Sequence, residues 1–146
     1  MKKIICFALV LLVLLGCLTA CNFTKNMTGA IADEAESTPK AEKMMAALAD
    51  DNTSDAKALL HPQVAEISDN AIAQMSAYLA GRKANAIELS GISINTSTGT
   101  AGKIREEQAA YQVTLADGAV IFLNTVYLSD NEGTGFVSFQ IVLGVI

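Results

Sequence analysis

Residues 104–129 read IREEQAAYQVTLADGAVIFLNTVYLS, two runs rich in β-branched and aromatic residues on either side of Asp117-Gly118. Asp-Gly between alternating apolar runs is a strong short-range signal for an antiparallel hairpin, here read as a two-residue turn of the primed type. That turn pairs Ala116 with Ala119, which sets Leu115 opposite Val120, Val113 opposite Phe122 and Tyr111 opposite Asn124 on one face. Gln112 and Thr114 then share the other face with Ile121, Leu123 and Tyr127.

Working outward, the same alternating character continues over residues 85–96 and 135–145, so the predicted strands cover 85–96, 104–116, 119–129 and 135–145. STGTAG joins the first pair and DNEGT the last, and Gly91 inside the first strand predicts a bulge. Upstream of Arg82 the pattern is helical. Ser37 or Thr38 is expected to cap a helix starting near Pro39, with Met44, Met45 and Leu48 along one side. Thr53 or Ser54 is expected to start a short helix over 55–60, which ends because Pro62 disfavours helical geometry at His61. Ser68 or Asp69 caps a third helix over 70–80, with Ile72, Met75, Tyr78 and Leu79 inward and Gly81 as terminator. The acids at 50, 51 and 55 lack the central Gly and closing Glu of a calcium loop and read as helix caps. Three helices followed by a four-stranded antiparallel meander is an α+β layout.

On AEKMMAALADDNTSDAKALLHPQV (41–64), IAQMSAYLAG (72–81) and the four long strands after them, residues 40–146 resemble the cone-shaped nuclear transport factor 2-like domains, also called ketosteroid isomerase-like or cystatin-like. The resemblance implies a curved sheet wrapped around three helices, and a tendency to dimerise back to back through that sheet. No residue motif carries it, and the catalytic dyad of the isomerases maps onto no position here.

The chain opens with Met1-Lys2-Lys3 and then runs apolar almost without break to Leu18, the basic and hydrophobic parts of an export signal. About eighteen such residues at ~1.5 Å each nearly span a bilayer, so an uncleaved anchor is the rival reading. Leu18-Thr19-Ala20-Cys21 resembles the lipobox of bacterial lipoproteins, whereas Leu14-Leu15-Gly16-Cys17 is a poorer copy. The resemblance implies cleavage after residue 20, a diacylglyceryl thioether on Cys21 and acylation, for instance by palmitate, of its new amino group. Two or more acyl chains give stable attachment where one gives only marginal binding. Cys6 and Cys17 leave with the signal, so no disulfide is available and the domain rests on its core alone.

Residues 22–39 are polar, small and without periodicity, a tether between lipid and domain. Removing Lys2 and Lys3 from ten basic residues leaves eight against fifteen acidic ones, a net charge of −7. An acidic domain argues against nucleic acid and anionic lipid as electrostatic partners, and membrane contact falls to the lipid anchor.

Both AVIFLNTVYL and FVSFQIVLGVI look apolar on both faces, whereas a half-solvated strand alternates. Three modest helices cover one face, so the other is either wrapped by the sheet's own curvature or packed against another chain, and the resemblance favours the second, a homodimer. With Leu128 opposite Phe136, Asn124 meets Gln140, and Tyr111, Asn124 and Gln140 form a polar row on the helix-covered face, the candidate lining of a pocket for a small apolar ligand. A one-residue slip of the last hairpin dissolves that row. The competing reading is that the three bond one another in a dry core.

No catalytic set is visible. Glu88 alone among the carboxylates lies well inside a predicted strand, Glu106 and Glu107 begin one, Asp117 and Asp130 sit in turns, and Asp50, Asp51, Asp55 and Asp69 are helix caps. His61 is the only histidine, so no His cluster exists for a metal, and it is expected to hydrogen-bond at the helix–proline junction. No nucleophile elbow or phosphate loop is present. The sequence therefore points to a lipoprotein of the bacterial cell envelope, without cofactor or metal, serving as a non-enzymatic binding or interaction module. An enzyme with unrecognised cavity chemistry and a purely structural envelope component remain the alternatives.

Overall fold

The computed structural model describes residues 35–100 and 102–143. Four short helices come first, α1 (Ser37–Ala49), α2 (Thr53–Ala58), α3 (Pro62–Ala65) and α4 (Asp69–Leu79), followed by β1 (Ala84–Gly99), β2 (Gly102–Leu115), β3 (Val120–Ser129) and β4 (Thr134–Leu143). The strands form one open antiparallel sheet in the order β1-β2-β3-β4. The α+β meander is as expected, with one helix more than the three read from sequence.

The extra helix comes from Pro62. Helix α2 already ends at Ala58, two residues short of the expected limit, and the fixed φ of Pro62 suits the first position of a new turn, with His61 before it as cap in extended geometry. The caps differ elsewhere too. Asn52 caps α2 by accepting the Asp55 N–H at 3.1 Å, in place of Thr53 or Ser54. Helix α4 ends at Ala80 in the left-handed region, one residue before Gly81, which is also left-handed. Helix α1 begins at Ser37, two residues ahead of Pro39, and neither Ser37 nor Thr38 is its cap.

The main correction concerns register. The hairpin between β2 and β3 has a three-residue loop, Ala116-Asp117-Gly118, closed by the Leu115 N–H donating to Ala119 O at 2.8 Å. Gly118 takes φ +84 while Asp117 stays out of the left-handed region, as in a type I turn followed by a glycine bulge. Thr114 therefore pairs with Val120, Val113 with Ile121, Gln112 with Phe122 and Tyr111 with Leu123. Every residue of β3 lies on the face opposite to the one the two-residue turn assigns it.

The helix-covered face thus gathers Ala109, Tyr111, Val113 and Leu115 of β2, Ile121, Leu123 and Tyr127 of β3, and Phe136 and Phe139 of β4, all buried. Met44, Met45 and Leu48 of α1 and Ile72 and Leu79 of α4 close over them. Phe136 packs edge-to-face on Tyr127 and Phe139, with centroids 5.0 and 5.3 Å apart. Ser90 is the extra residue between Leu89 and Gly91, so the bulge expected at Gly91 lies one residue earlier.

The two sheet edges differ. Leu59–His61 runs beside the start of β4, the His61 N–H donating to Phe136 O at 3.0 Å and the Phe136 N–H to Leu59 O at 2.9 Å. Gly135 permits this approach, since a Cβ there would collide with the Leu60 and His61 backbone. Strand β1 forms the other edge and pairs with β2 alone.

Candidate functional site

Of the three residues expected to share one row, the structure brings two together. Asn124 does oppose Gln140, because a bulge at Val137 compensates for Leu128 pairing with Gly135 instead of Phe136. Both lie on the outer face of the sheet, in a row with Ala110. Tyr111 points the other way and is fully buried. The polar floor of Tyr111, Asn124 and Gln140 is therefore not formed, and the three line no common pocket.

A different polar cluster occupies the buried face. Glu107, 1% exposed, projects from β2 under the start of α1. Its Oε1 accepts the Glu36 N–H at 3.1 Å and its Oε2 the Ser37 N–H at 3.0 Å. These are the free donors at the positive end of α1, and a strand carboxylate caps the helix that its own residues leave uncapped. Arg105, two residues along the same strand, donates Nε and an Nη to Oε1 at 3.0 and 2.8 Å. The Tyr111 hydroxyl completes the cluster through Ser37 Oγ at 3.1 Å and Thr38 Oγ1 at 3.3 Å.

Burial by itself pushes the Glu107 carboxyl up, but Arg105, the two backbone N–H groups and the Ser37 hydroxyl outweigh it and hold the group below the usual glutamate range. Burial likewise pushes the Tyr111 phenol up. A buried carboxylate this fully hydrogen-bonded acts as a fastening between β2 and the start of α1.

The sequence signal for Glu107 was parity. Glu107, Ala109, Tyr111, Val113 and Leu115 alternate along one face of β2, so the face that buries Tyr111 buries Glu107. Arg105 shares that parity, and with it the pair was legible.

His61 hydrogen-bonds at the helix–proline junction, as expected, and is fully buried there with a partner the sequence did not suggest. Its Nδ1 accepts the Gln63 N–H at 3.4 Å, which leaves Nε2 to donate to Asp130 Oδ1 at 3.1 Å. That same oxygen accepts the Glu132 and Gly133 N–H groups at 2.8 and 3.1 Å. Burial raises the Asp130 carboxyl, and these three hydrogen bonds more than reverse it, leaving it below its ordinary value. The His–Asp pair pins the β3–β4 loop to the start of α3. Both ring nitrogens are engaged and the ring meets no solvent. Glu88 is exposed on β1.

A cavity of about 20 Å³ lies among Met44, Leu60, Ile72, Met75 and Phe139, enough for about one water and far below the few hundred Å³ of a small-molecule pocket. An open groove of about 390 Å³ runs outside α1 and α2 between Lys43, Asp50, Asn52, Asp55 and Leu59. Asp50 there is tied to Lys83 at 2.9 Å and Asp55 to Asn52 at 2.7 Å. No group of three or more His, Cys, Asp or Glu among the described residues could hold a metal ion.

The outer sheet face is the remaining feature. No helix among the described residues covers it, and Val120, Phe122 and Val142 stand 43, 39 and 41% exposed on it, Phe122 paired directly with Val142. Gln112, Asn124 and Gln140 surround them.

In comparisons with known proteins, no family model, no curated protein and no solved structure matches the chain. No helix among the described residues is long and apolar enough to cross a membrane. Cys21, the expected lipidation site, lies outside the described residues.

Proposed function

We propose that the protein is an extracytoplasmic lipoprotein, anchored to the bacterial membrane through Cys21, whose domain is a non-enzymatic interaction module of the nuclear transport factor 2-like type. The observation that carries the non-enzymatic part is the contrast between the two sheet faces. Among the described residues the helix-covered face is closely packed and its buried acid, Glu107, is consumed in hydrogen bonds, while the opposite face keeps an exposed strip of Val120, Phe122 and Val142. A site that turns over a small molecule is ordinarily a cleft or cavity with convergent free polar groups, whereas in the open groove outside α1 and α2 the carboxylates of Asp50 and Asp55 are already tied to Lys83 and Asn52.

Helices preceding a four-stranded antiparallel meander, all on one face of it, support the fold-family reading. The lipobox-like Leu18-Thr19-Ala20-Cys21 after a basic start and apolar run supports the anchor. In this reading the outer face meets a second copy, Phe122 supplying the anchor residue and the neutral amides around it the rim. The filled interior also favours a structural envelope component, which differs in holding one constant protein partner.

Two substitutions test the reading. Cys21→Ser in the full chain leaves the signal uncleaved and abolishes incorporation of labelled palmitate; a normally processed, unlabelled wild-type chain contradicts the anchor. Phe122→Lys puts an unpaired charge in the contact and lowers self-association at least tenfold, with the circular dichroism spectrum unchanged. Equal association of Phe122→Lys and wild type removes the outer face from the account.

A further inference from the structure

We infer that the distal half of β1 is a second self-association surface, at which two copies pair their edge strands antiparallel about a two-fold axis at Asn95. Strand β1 is sixteen residues long, and from Gly91 to Gly99 it pairs with residues 110 to 102 without a bulge. This stretch, GISINTSTG, contains no charge and no proline. Among the described residues no backbone group bonds its outer edge. Proteins ordinarily guard such an edge with Lys, Pro, a bulge or a covering segment, and this chain does cover part of the opposite edge with Leu59–His61. From Gly91 to Gly99 that guard is missing on the longest strand.

The far end of this edge also lacks support. The last β2–β3 pair is Arg105 with Ser129, so residues 97–99 and 102–104 form a bare two-stranded ribbon reaching about 10 Å past the sheet. Two strands alone are marginal in water, and a third neighbour is what stabilises them. A second copy supplies one in a self-matching way. Centring the pair on Asn95 uses the whole regular stretch, setting Gly91 opposite Gly99, Ile92 opposite Thr98 and Ile94 opposite Thr96. Each protruding tip then lies along the supported base of the other copy's strand. Residues of like parity face each other, which keeps both helical layers on one side of a continuous eight-stranded sheet. The nearest charge on the strand, Glu88, lies beyond the Gly91–Gly99 end of the paired stretch, so no like charges meet within it. A foreign strand would satisfy the same backbone groups without bringing a supported neighbour to the ribbon.

This contact is separate from the outer-face contact and stands or falls apart from it. Asn95→Cys is introduced into the full chain, cells are treated with a mild oxidant, and dimers are read on a non-reducing gel against the unsubstituted chain. The Asn95→Cys chain is expected to link efficiently. Thr98→Cys is expected to link no more than the unsubstituted chain, since its two copies lie about 20 Å apart across the axis. Absence of a link at 95, or equal links at 95 and 98, overturns the proposal. Asn95→Lys, which sets two ammonium groups face to face at an exposed position, is expected to lower edge association at least tenfold with an unchanged circular dichroism spectrum. Unchanged association overturns it. In the Phe122→Lys background the Asn95→Cys link is expected to persist; its loss would make the edge contact a by-product of face pairing and overturn it as a surface of its own.

Discussion

Glu107 does more for this fold than its sequence neighbourhood suggests. In one carboxylate it caps α1 across seventy residues of chain and pairs with Arg105. Replacing it by Gln leaves a buried N–H₂ facing backbone donors and removes the charge opposite Arg105, at a cost of about 3 kcal/mol. The urea midpoint measures this. The folded-state value of the Glu107 carboxyl is below its unfolded one, so its contribution is complete above the ordinary glutamate range, about 4.3, and is lost as pH falls through the lower folded value. Asp130 has the same sign. The melting temperature is therefore expected to fall as pH drops below about 5, and to fall less steeply in Glu107→Gln. Ser76 is the opposite case. Its hydroxyl is buried without a hydrogen-bond partner among the described residues, so Ser76→Ala is expected to leave stability unchanged or raise it by up to about 1 kcal/mol.

At the scale of elements, one loop decides which residues face the core. Periodicity made the four strands legible, and their limits agree with the observed ones to within about three residues. Asp117-Gly118 marked the hairpin correctly and left its loop length undecided, because Asp-Gly serves both the two-residue primed turn and the three-residue loop with a glycine bulge. The difference is one residue, and it exchanges the faces of β3. Asn124 and Phe122 go out and Leu123 and Tyr127 come in. The inward parity of Glu107 and Tyr111 on β2 was readable throughout, whereas the partner of Glu107, the start of α1, depends on packing that no local pattern encodes. The same holds for His61 and Asp130, sixty-nine residues apart. Gly118 has open space around it and φ +84, so Gly118→Ala costs only the left-handed strain, about 1–2 kcal/mol in a thermal melt. A loss under about 0.3 kcal/mol would argue for a different turn.

As a whole molecule, the chain places its sealed side and its open side on opposite faces of one sheet. With no disulfide among the described residues, the apolar layer between helices and strands is held by packing and by two polar fastenings, Glu107 at α1 and Asp130 at α3. In the proposed reading the outer face and the β1 edge, both bare among the described residues, meet partners, and tethering to a membrane would concentrate copies in two dimensions, where modest contacts suffice. Native mass spectrometry of the full chain, extracted from cells in detergent, tests this account most directly. The predicted spectrum shows chains shortened by residues 1–20, carrying lipid on Cys21, in an even number of copies and without a small molecule inside. A single unprocessed chain, or a folded monomer holding a small molecule, would contradict it.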